Sequence, residues 1–493
     1  MRKSYYITTA IDYPNGRPHM GHAYEKVVTD FYARWYRQLG REVYFVTGTD
    51  ENGQKLLKAA QEAQQNIRPY LDQNVETFKK LCKDLHVSND HFIRTTDQTH
   101  HESCQKLWSK IQAQGMIYKG RYEGLYCLAC ESFYTETQVT DRLCPNHHKP
   151  LDTRVEEGYF FKLSAFQKFL IDHFEAHPHF VVPSSARKEM LSRLQGDELR
   201  DLSISRPNEG HGVPVPGDEA FVMYTWFDAL INYFTATDNE THRKFWPAQC
   251  HVIGKDIVWF HSVIWPAILQ ASGQEIPQTI YVHGMILAED GKKMSKSLGN
   301  VVDPLDIMGK YPLDSFRFYL LKAISSGHDG PFSAKDLVDR HNTELGNDLG
   351  NLLSRIVKLY LKKYPGDIDG DNIAQEINLD QMHLKFCQAV ENFDHSGALE
   401  IVWEQIRAMN QYVNTTAPWK HKDNQELLKV IVYNCAYALH SFAFHLYPAM
   451  PTDAQRLVKY LGVSVHQNPT GQFGKINYHL SEPEILFPKI EYV

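Results

Sequence analysis

The feature that most constrains this fold is a pair of short motifs placed far apart in the chain, His19-Met20-Gly21-His22 and Lys293-Met294-Ser295-Lys296-Ser297. Each motif lies just beyond a predicted strand, and each places histidine or lysine side chains around a space of phosphate size. Either string alone occurs often by chance. The two in this order predict an enzyme that works on a nucleotide phosphate.

The first motif lies within a predicted β-α-β unit. A run rich in β-branched and aromatic residues, 5–11, predicts a strand, and a turn follows at 14–16. Apolar residues at three- and four-residue spacing then predict a helix, before a second strand over 43–46. His19 and His22 therefore stand at the N-terminus of the crossover helix, where backbone N–H groups and the helix dipole favour anions.

The second motif lies in a glycine-flanked, lysine-rich loop over 290–300. A basic loop of this kind suits a charged lid over a triphosphate. Gly21 in the first motif has no side chain, so a flat ligand such as adenine can approach the backbone there. Each motif alone has a plainer interpretation, a helix cap for the histidines and a solvated turn for the lysines. The occurrence of both motifs in one chain favours a catalytic role for the histidines and lysines.

The two motifs together resemble the HIGH and KMSKS signatures of the class I aminoacyl-tRNA synthetases, and the resemblance covers nearly the whole chain. In that family the signatures flank ATP, which binds with Mg²⁺, in a split nucleotide-binding fold. The resemblance implies that His19 and His22 stabilise the transferring phosphate, while Lys296 and, more loosely, Lys293 hold the α- and β-phosphates. The residues that it assigns to ATP are His19, Gly21, His22, Gly254, Asp256, Lys293 and Lys296, with Gly254 near the adenine and Asp256 at the ribose.

Four further segments are similar to those of the methionyl-tRNA synthetases, namely 10–16, 47–55, 224–233 and 254–267. The resemblance implies that the amino acid is L-methionine and that Asp50 binds its α-ammonium group. A thioether is apolar and polarisable and packs well on aromatic rings, so a pocket of Trp, Tyr and His suits it. The residues assigned to methionine are Ile11, Tyr13, Asp50, Trp226, Ala229, Leu230, Tyr233, Ile257, His261 and Trp265.

Two positions depart from the family pattern, because Asn52 stands where histidine is common and Leu230 replaces the proline of some relatives. The implied reaction has two steps, formation of methionyl-adenylate with release of pyrophosphate and transfer of methionine to tRNA(Met). Three alternatives stay open. They are a sister synthetase for isoleucine, leucine, valine or cysteine, an adenylating enzyme with another acceptor, and a non-catalytic tRNA-binding derivative.

A further constellation has metal-ligand spacing, with Cys127-x2-Cys130 followed after thirteen residues by Cys144-x2-His147. Two such pairs of soft ligands predict one tetrahedral Zn²⁺ site, which is structural because four protein ligands leave no open position. His148 follows directly, so either histidine fits as the fourth ligand, and the spacing favours His147. The other five of the eight cysteines lie singly, which fits a reducing compartment better than a disulfide framework.

Strand and helix patterns alternate to about residue 115 and resume after 216, and the pattern from about 340 is almost purely helical. Together with the resemblance, which implies the role of each part, this pattern predicts an α/β Rossmann-like catalytic domain with an inserted zinc-knuckle connective domain, followed by an all-α anticodon-binding bundle. The predicted ranges are 1–115 and 216–290 for the catalytic domain, 116–215 for the insertion, 291–340 for a tRNA-stem contact region and 341–493 for the bundle. By resemblance, the anticodon is read by Asn351, Arg355 and Trp419, through base stacking and edge contacts.

The net charge of −7 does not indicate a general nucleic-acid binder, so local basic surface must supply the phosphate contacts. The chain shows no run of eighteen apolar residues and no apolar leader after Met1, so we expect neither a membrane span nor a signal peptide. The cysteine usage and the lack of a leader predict a cytoplasmic protein. We see no additional module after the bundle, which predicts a monomer.

Overall fold

The computed structural model describes residues 4–127, 132–134, 139–145, 148–294, 299–361, 367–368, 378–421, 424–467 and 476–493. Its strands are β1 Ser4–Thr9, β2 Glu42–Thr49, β3 His91–Arg94, β4 Ile117–Cys127, β5 Ser132–Tyr134, β6 Asp152–Phe161, β7 Val181–Val182, β8 Leu202–Ser203, β9 Ser205–Pro207, β10 Pro214–Val215, β11 Asp218–Met223, β12 Cys250–Gly254, β13 Thr279–His283, β14 Ile286–Leu287, β15 Gly330–Pro331, β16 Asp367–Ile368 and β17 Tyr478–His479.

The helices alternate with these strands in the first part of the chain and dominate the second part. The α-helices are α1 Met20–Gln38, α2 Gln54–Glu62, α3 Ile67–Asp84, α4 Gln98–Ala113, α5 Gln167–Ala176, α6 Ser184–Gly196, α7 Thr225–Thr235, α8 Trp265–Ser272, α9 Pro304–Lys310, α10 Leu313–Ala323, α11 Ala334–Arg340, α12 Asn351–Leu361, α13 Leu379–Glu391, α14 His395–Thr416, α15 Gln425–Leu446 and α16 Pro451–Leu461. Short 3₁₀ turns occur at Leu163–Phe166, Arg243–Phe245, Lys255–Ile257 and Pro418–Lys420, and π-helical turns at Phe260–Ile264 and His341–Gly350.

The central sheet has six parallel strands in the order β3-β2-β1-β12-β13-β7. Strands β1 and β12 are buried along most of their length, as expected where helices cover both faces of a parallel sheet. The chain leaves β1 toward β2 on one side and returns to β12 on the other. This topological switch point opens a crevice at the carboxyl ends of β1 and β12, where ligands bind in such sheets.

The segment between the two halves of this sheet forms antiparallel sheets of its own, one with the order β5-β4-β6-β8 and one with the order β10-β11-β9. Within the range predicted as insertion, however, Val181–Val182 pairs in parallel with β13 and extends the edge of the central sheet. A two-residue strand carries no periodicity of its own, so the sequence pattern contains no sign of this pairing.

Among its described residues, the C-terminal region is mainly helical as predicted, apart from one short strand pair. Asp367–Ile368 pairs with Tyr478–His479, so the predicted all-α character is wrong at this point. The pair forms because the chain after α16 folds back along the bundle. Further along this C-terminal segment, the backbone of Ile490 exchanges two hydrogen bonds with the side chain of Asn342, 2.9 and 3.1 Å long.

The catalytic half and the helical region share one hydrophobic core. Trp35 of α1 is buried and packs against Phe386 of α13 and Phe444 of α15, with ring centroids 4.7 and 5.8 Å apart. The same cluster continues through α10 and α14 to α16. Helix α1, whose first turn carries the histidine motif, is therefore held on its far side by the bundle.

Among the described helices, α15 alone is long and apolar enough to cross a membrane by length and composition. Its apolar stretch is 83% buried inside the protein. Packing at the centre of the bundle accounts for this composition, as it does for any helix that is apolar on all sides.

A buried histidine at the contact between α1 and α14 predicts a pH dependence of stability. His395 is fully buried, with a hydroxyl group 3.3 Å from each ring nitrogen, that of Tyr24 at Nε2 and that of Tyr32 at Nδ1. Burial lowers the pKa of His395 to about 3. Because its folded pKa lies below the unfolded value near 6.5, the unfolded chain binds the extra proton, and stability is lost as pH falls below that value.

The wild type should lose free energy of unfolding as the pH falls from 7.5 to 5.5. We expect His395→Gln to lose about 1 kcal/mol less over the same range. Chemical denaturation at the two pH values measures this difference. His179→Gln, at an exposed position, is the control and should leave the pH dependence as it is. An equal pH dependence in His395→Gln and the wild type would contradict the prediction.

Candidate active site

A cavity of about 150 Å³ opens at the switch point of the central sheet, between the loops after β1 and β2, helix α7 and the segment after β12. It is largely apolar at its base, with a carboxylate and a lysine at its walls. Its lining residues are Ala10, Ile11, Tyr13, Asp50, Lys55, Thr225, Trp226, Ala229, Leu230, Tyr233, Ile257 and His261.

Nine of the ten residues assigned to methionine from the sequence line this cavity; Trp265 does not. Trp265 is fully buried and packs behind Tyr233, with ring centroids 6.1 Å apart. It supports the pocket wall from the core side. The lining also includes Ala10, Lys55 and Thr225, which the sequence interpretation left out although each lies inside a segment that it singled out.

Tyr233 and His261 form a hydrogen-bonded pair at the base of the cavity. His261 lies in the π-helical turn Phe260–Ile264 and donates from Nδ1 to the carbonyl of Ile257, 3.0 Å away. Its Nε2 atom must then be the acceptor for the Tyr233 hydroxyl at 2.7 Å. Burial lowers the pKa of His261 to about 4, so the ring is neutral at physiological pH.

Aromatic stacking defines the opposite wall. The Trp226 ring lies parallel to that of Phe260, with centroids 3.9 Å apart and an interplanar angle of 12°. Trp226 is partly exposed because it faces the cavity. Together with Tyr233 and His261, it gives a polarisable surface suited to a thioether.

The carboxylate of the cavity belongs to Asp50, on the loop after β2. Asp50 is 7% exposed, and its backbone N–H donates to the carbonyl of Asp12, 2.8 Å away. The neighbouring Glu51 is held by two hydrogen bonds from Arg94, 2.7 and 2.8 Å long. The loop that carries Asp50 is thus held in place on both sides. The carboxylate of Asp50, at the mouth of an apolar cavity, suits a cationic amine.

The histidine motif caps α1 with its own side chains. The N–H of Gly21 donates to Nδ1 of His19 at 3.1 Å, and the N–H of His19 donates to Nδ1 of His22 at 3.0 Å. The two rings stack with centroids 3.7 Å apart. Since Nδ1 accepts in both rings, Nε2 carries the proton in each neutral imidazole. The two histidines thus do cap the helix. The same arrangement leaves the Nε2–H group of each ring as a hydrogen-bond donor.

The surroundings of the motif keep His22 uncharged. Burial, with smaller effects of His19 and Lys26, lowers the pKa of His22 well below its usual range. The sequence interpretation missed an ion pair next to His22. The ammonium group of Lys26, which is fully buried, lies 2.8 Å from the carboxylate of Asp12. Lys26 stands one helical turn after His22, and that spacing was the available signal.

Two glycines of the site allow close packing. A Cβ on Gly21 would lie 3.0 Å from the ring of His19, so a larger residue there would press on the capping ring. A Cβ on Gly254 would lie 2.8 Å from a carboxylate oxygen of Asp256. Gly254 and Asp256 follow one another at the carboxyl end of β12, beside the crevice.

The lysine motif is only partly described. Lys293 is exposed, and its carbonyl accepts a hydrogen bond from Asn300 at 3.3 Å. A bridge to Leu287 holds the start of the loop against the end of β14. Lys296 lies outside the described residues.

Two of the four predicted zinc ligands are described, and they lie in one small cluster. Cys127 and Cys144 are buried together with Leu125 and Leu151. The N–H of Cys144 donates to the carbonyl of Lys149 at 2.8 Å. Cys130 and His147 lie outside the described residues, and within the described ranges no three metal-binding side chains come together.

The residues assigned to the anticodon lie on one surface of the bundle. Arg355 of α12 donates to Asn414 at 2.8 Å, and its guanidinium lies 5.3 Å from the ring centroid of Trp419, which is 40% exposed. Asn351 is exposed one helical turn before Arg355. An exposed indole beside a guanidinium and an amide suits an unstacked base.

Comparison with known proteins identifies the class to which this fold and crevice belong. The family model for class I tRNA synthetases (M) matches residues 5–153 and 146–357. The chain therefore belongs to the class I aminoacyl-tRNA synthetases.

The relatives narrow the class further. A methionine–tRNA ligase of Caldanaerobacter subterraneus is 41% identical over 100% of this chain and 80% of its own length, and one of Brucella suis is 38% identical over 99% and 98%. A Mycobacterium tuberculosis methionyl-tRNA synthetase solved with methionyl-adenylate is 36% identical, with a TM-score of 0.93 over 99% of this chain and 100% of that one. Within its class, the chain is a member of the methionyl-tRNA synthetase family.

Proposed function

We propose that the protein activates L-methionine with ATP to methionyl-adenylate, releasing pyrophosphate, and transfers methionine to the 3′ end of tRNA(Met), forming Met-tRNA and AMP. The observation that carries this proposal is the cavity at the switch point, lined by Asp50, Trp226, Tyr233 and His261. The mycobacterial relative, whose solved complex contains methionyl-adenylate, has the same fold over nearly the whole chain.

In the first step, Asp50 binds the ammonium group of methionine and so directs its carboxylate toward the α-phosphate of ATP. The carboxylate attacks phosphorus in line, and pyrophosphate leaves. Neutral His19 and His22 donate hydrogen bonds from Nε2 to the phosphate oxygens, and Lys293 and Lys296 balance the charge that develops there. Mg²⁺ enters with ATP as part of the substrate.

In the second step, the terminal adenosine of tRNA attacks the carbonyl carbon of the adenylate, and AMP leaves. We propose the 2′-hydroxyl as the nucleophile, as the class resemblance implies. Positioning supplies most of the rate in such a transfer, since the adenylate is already activated.

The test is ATP–pyrophosphate exchange with each of the twenty amino acids in turn, followed by charging of tRNA(Met). Exchange with methionine alone, together with charging, supports the proposal. Exchange with another amino acid would assign the enzyme to a sister synthetase, and exchange without charging would indicate another acceptor. An absence of all exchange would indicate a non-catalytic derivative.

We propose further that Cys127, Cys130, Cys144 and His147 bind one structural Zn²⁺. Two buried thiols at neighbouring points of one cluster suit tetrahedral ligation, because thiolate ligands prefer Zn²⁺ and a closed site stabilises a small fold. The metal would hold together the loop between β4 and β6, whose apolar cluster is small.

We expect the purified protein to contain about one zinc per chain and Cys127→Ala to contain almost none. Elemental analysis of the purified proteins measures this content. Cys387→Ala, at a half-buried cysteine of α13, is the control and should keep its zinc. Zinc content independent of Cys127 would refute the assignment.

We also propose that Asn351, Arg355 and Trp419 contact the anticodon. Trp419→Ala is expected to raise KM for tRNA(Met) roughly tenfold or more, since stacking of a base on an aromatic side chain contributes about 1–3 kcal/mol. Pyrophosphate exchange should stay unchanged, because tRNA takes no part in adenylation. Leu384→Ala, at another exposed apolar residue of the bundle, is the control. A normal KM for tRNA in Trp419→Ala would remove the indole from recognition.

A further inference from the structure

We propose that Asn52 and Asp228 form a positioning pair that sets the distance between the group that binds the methionine ammonium and the pocket that receives its side chain. The proposal rests on the function proposed above and extends it. Neither residue lines the cavity, so the pair acts through the residues beside it.

The pair is a buried hydrogen bond with a defined orientation. Nδ2 of Asn52 donates to Oδ2 of Asp228 at 2.7 Å and to the carbonyl of Thr95 at 3.3 Å. A carbonyl only accepts, so the amide nitrogen must be the atom on this side of Asn52. Asn52 is 1% exposed and Asp228 is fully buried, which protects the bond from competition by water.

Each partner is attached to one wall of the cavity. Asn52 lies two residues after Asp50, on the loop that follows β2. Asp228 lies in the first turn of α7, between Trp226 and Ala229, both of which line the cavity. The hydrogen bond therefore fixes the ammonium-binding loop to the helix that bounds the side-chain pocket, across 176 residues of sequence.

Two further contacts of this loop, at Asp50 and Glu51, lead elsewhere. The backbone of Asp50 bonds to Asp12 beside the sheet, and the carbonyl of Glu51 accepts from Nε2 of His211 at 2.7 Å. These contacts hold the loop against the sheet and the insertion, and the Asn52–Asp228 bond ties it to α7. Loss of that bond frees α7 to shift relative to Asp50.

Removal of Asn52 also changes the hydrogen bonding of the Asp228 carboxyl group. Burial raises the pKa of Asp228 well above its usual range, and the hydrogen bond from Asn52 opposes this rise. Oδ1 of Asp228 has no hydrogen-bond partner among the described residues, so removal of Asn52 takes away the side-chain donor at the other oxygen. The carboxyl group would then favour a rearrangement of the first turn of α7.

The consequence concerns selectivity for chain length. A side chain whose ammonium group is fixed at Asp50 reaches a set depth in the pocket, so a substrate one methylene longer, such as ethionine, meets the base formed by Tyr233 and His261. One methylene in an apolar pocket changes kcat/KM by about 10–200-fold. If α7 shifts, this discrimination falls.

The experiment compares kcat/KM for methionine and ethionine, by pyrophosphate exchange, in the wild type, Asn52→Ala, Asp228→Ala and the double variant. We expect the methionine preference to fall by about tenfold in each single variant and no further in the double variant. Asp228→Asn keeps an acceptor for Asn52 and should restore the preference. KM for ATP should stay within about twofold throughout, since a purely structural loss would affect both substrates.

Thr235→Val removes another polar group of α7, a hydroxyl that bonds to Ile231 and His100 outside the cavity lining, and should keep the preference. If an alanine variant fails to fold, Asn52→Ser gives the same comparison with a smaller change. An unchanged preference in the folded variants, additive losses in the double variant, or an equal rise in KM for ATP would overturn the positioning role. A wild type without methionine-dependent exchange would instead overturn the proposed function.

Discussion

Asp50→Asn is expected to raise KM for methionine roughly 100-fold while leaving KM for ATP nearly unchanged. Truncating or neutralising one partner of a buried, hydrogen-bonded charge pair costs about 2–5 kcal/mol. Asp50 is 7% exposed at the mouth of an apolar cavity, so water does not replace the lost attraction for the ammonium group. Pyrophosphate exchange at varied methionine and ATP concentrations measures the two constants.

Asp256→Asn is the matched comparison, because it changes a carboxylate at the end of β12, on the side of the crevice assigned to ATP. It should raise KM for ATP and leave that for methionine near the wild-type value. The same pattern in both variants, or a normal KM for methionine in Asp50→Asn, would contradict the separation of the two subsites.

Arg317→Met is expected to lower the free energy of unfolding by about 3–5 kcal/mol, because it removes one of the two arginines that pair with the buried Asp30 carboxylate and also the donor to three backbone carbonyls. Arg317 of α10 is fully buried and donates to Asp30 of α1 at 2.7 Å. It also donates to the carbonyls of Leu85, Pro448 and Ala449, at 2.9, 3.0 and 3.0 Å. One guanidinium thus joins the catalytic half to the start of α16.

Chemical denaturation followed by circular dichroism measures this loss. Arg407→Met is the control, since Arg407 pairs with Glu400 where both side chains are about half exposed, and such pairs contribute about 0–1 kcal/mol. Equal destabilisation in the two variants would show that burial of Arg317 does not set its contribution.

Local periodicity predicted the elements that place the crevice. The strands expected over 5–11 and 43–46 are observed as β1 and β2, and the histidine motif begins α1. Such patterns are local, because one residue in two or in three to four must be apolar to face the core. The edge pairing of Val181–Val182 is long-range, and no short-range pattern encodes it.

The candidate site divides in the same way. Residues that line the cavity lie in segments with recognisable motifs, whereas the Asn52–Asp228 and Lys26–Asp12 pairs depend on how distant segments meet. The departure at Asn52 was the one sequence signal for the first of these pairs. Trp265 was assigned to the pocket lining but packs behind Tyr233. The local sequence could not show this, because an aromatic residue behind a pocket wall and one that faces the pocket have the same sequence pattern.

The packing of Trp35 between α13 and α15 limits how the two halves can be recombined. A chimera that carries the bundle of a synthetase for a different amino acid would place unrelated side chains against this indole, and the C-terminal part of α1 would lose its packing partners. If the bundle reads the anticodon as proposed, exchange of this recognition between enzymes must therefore transplant the apolar contact surface along with Asn351, Arg355 and Trp419. The two halves are thus one packed unit, and a change in either half must fit the surface of the other.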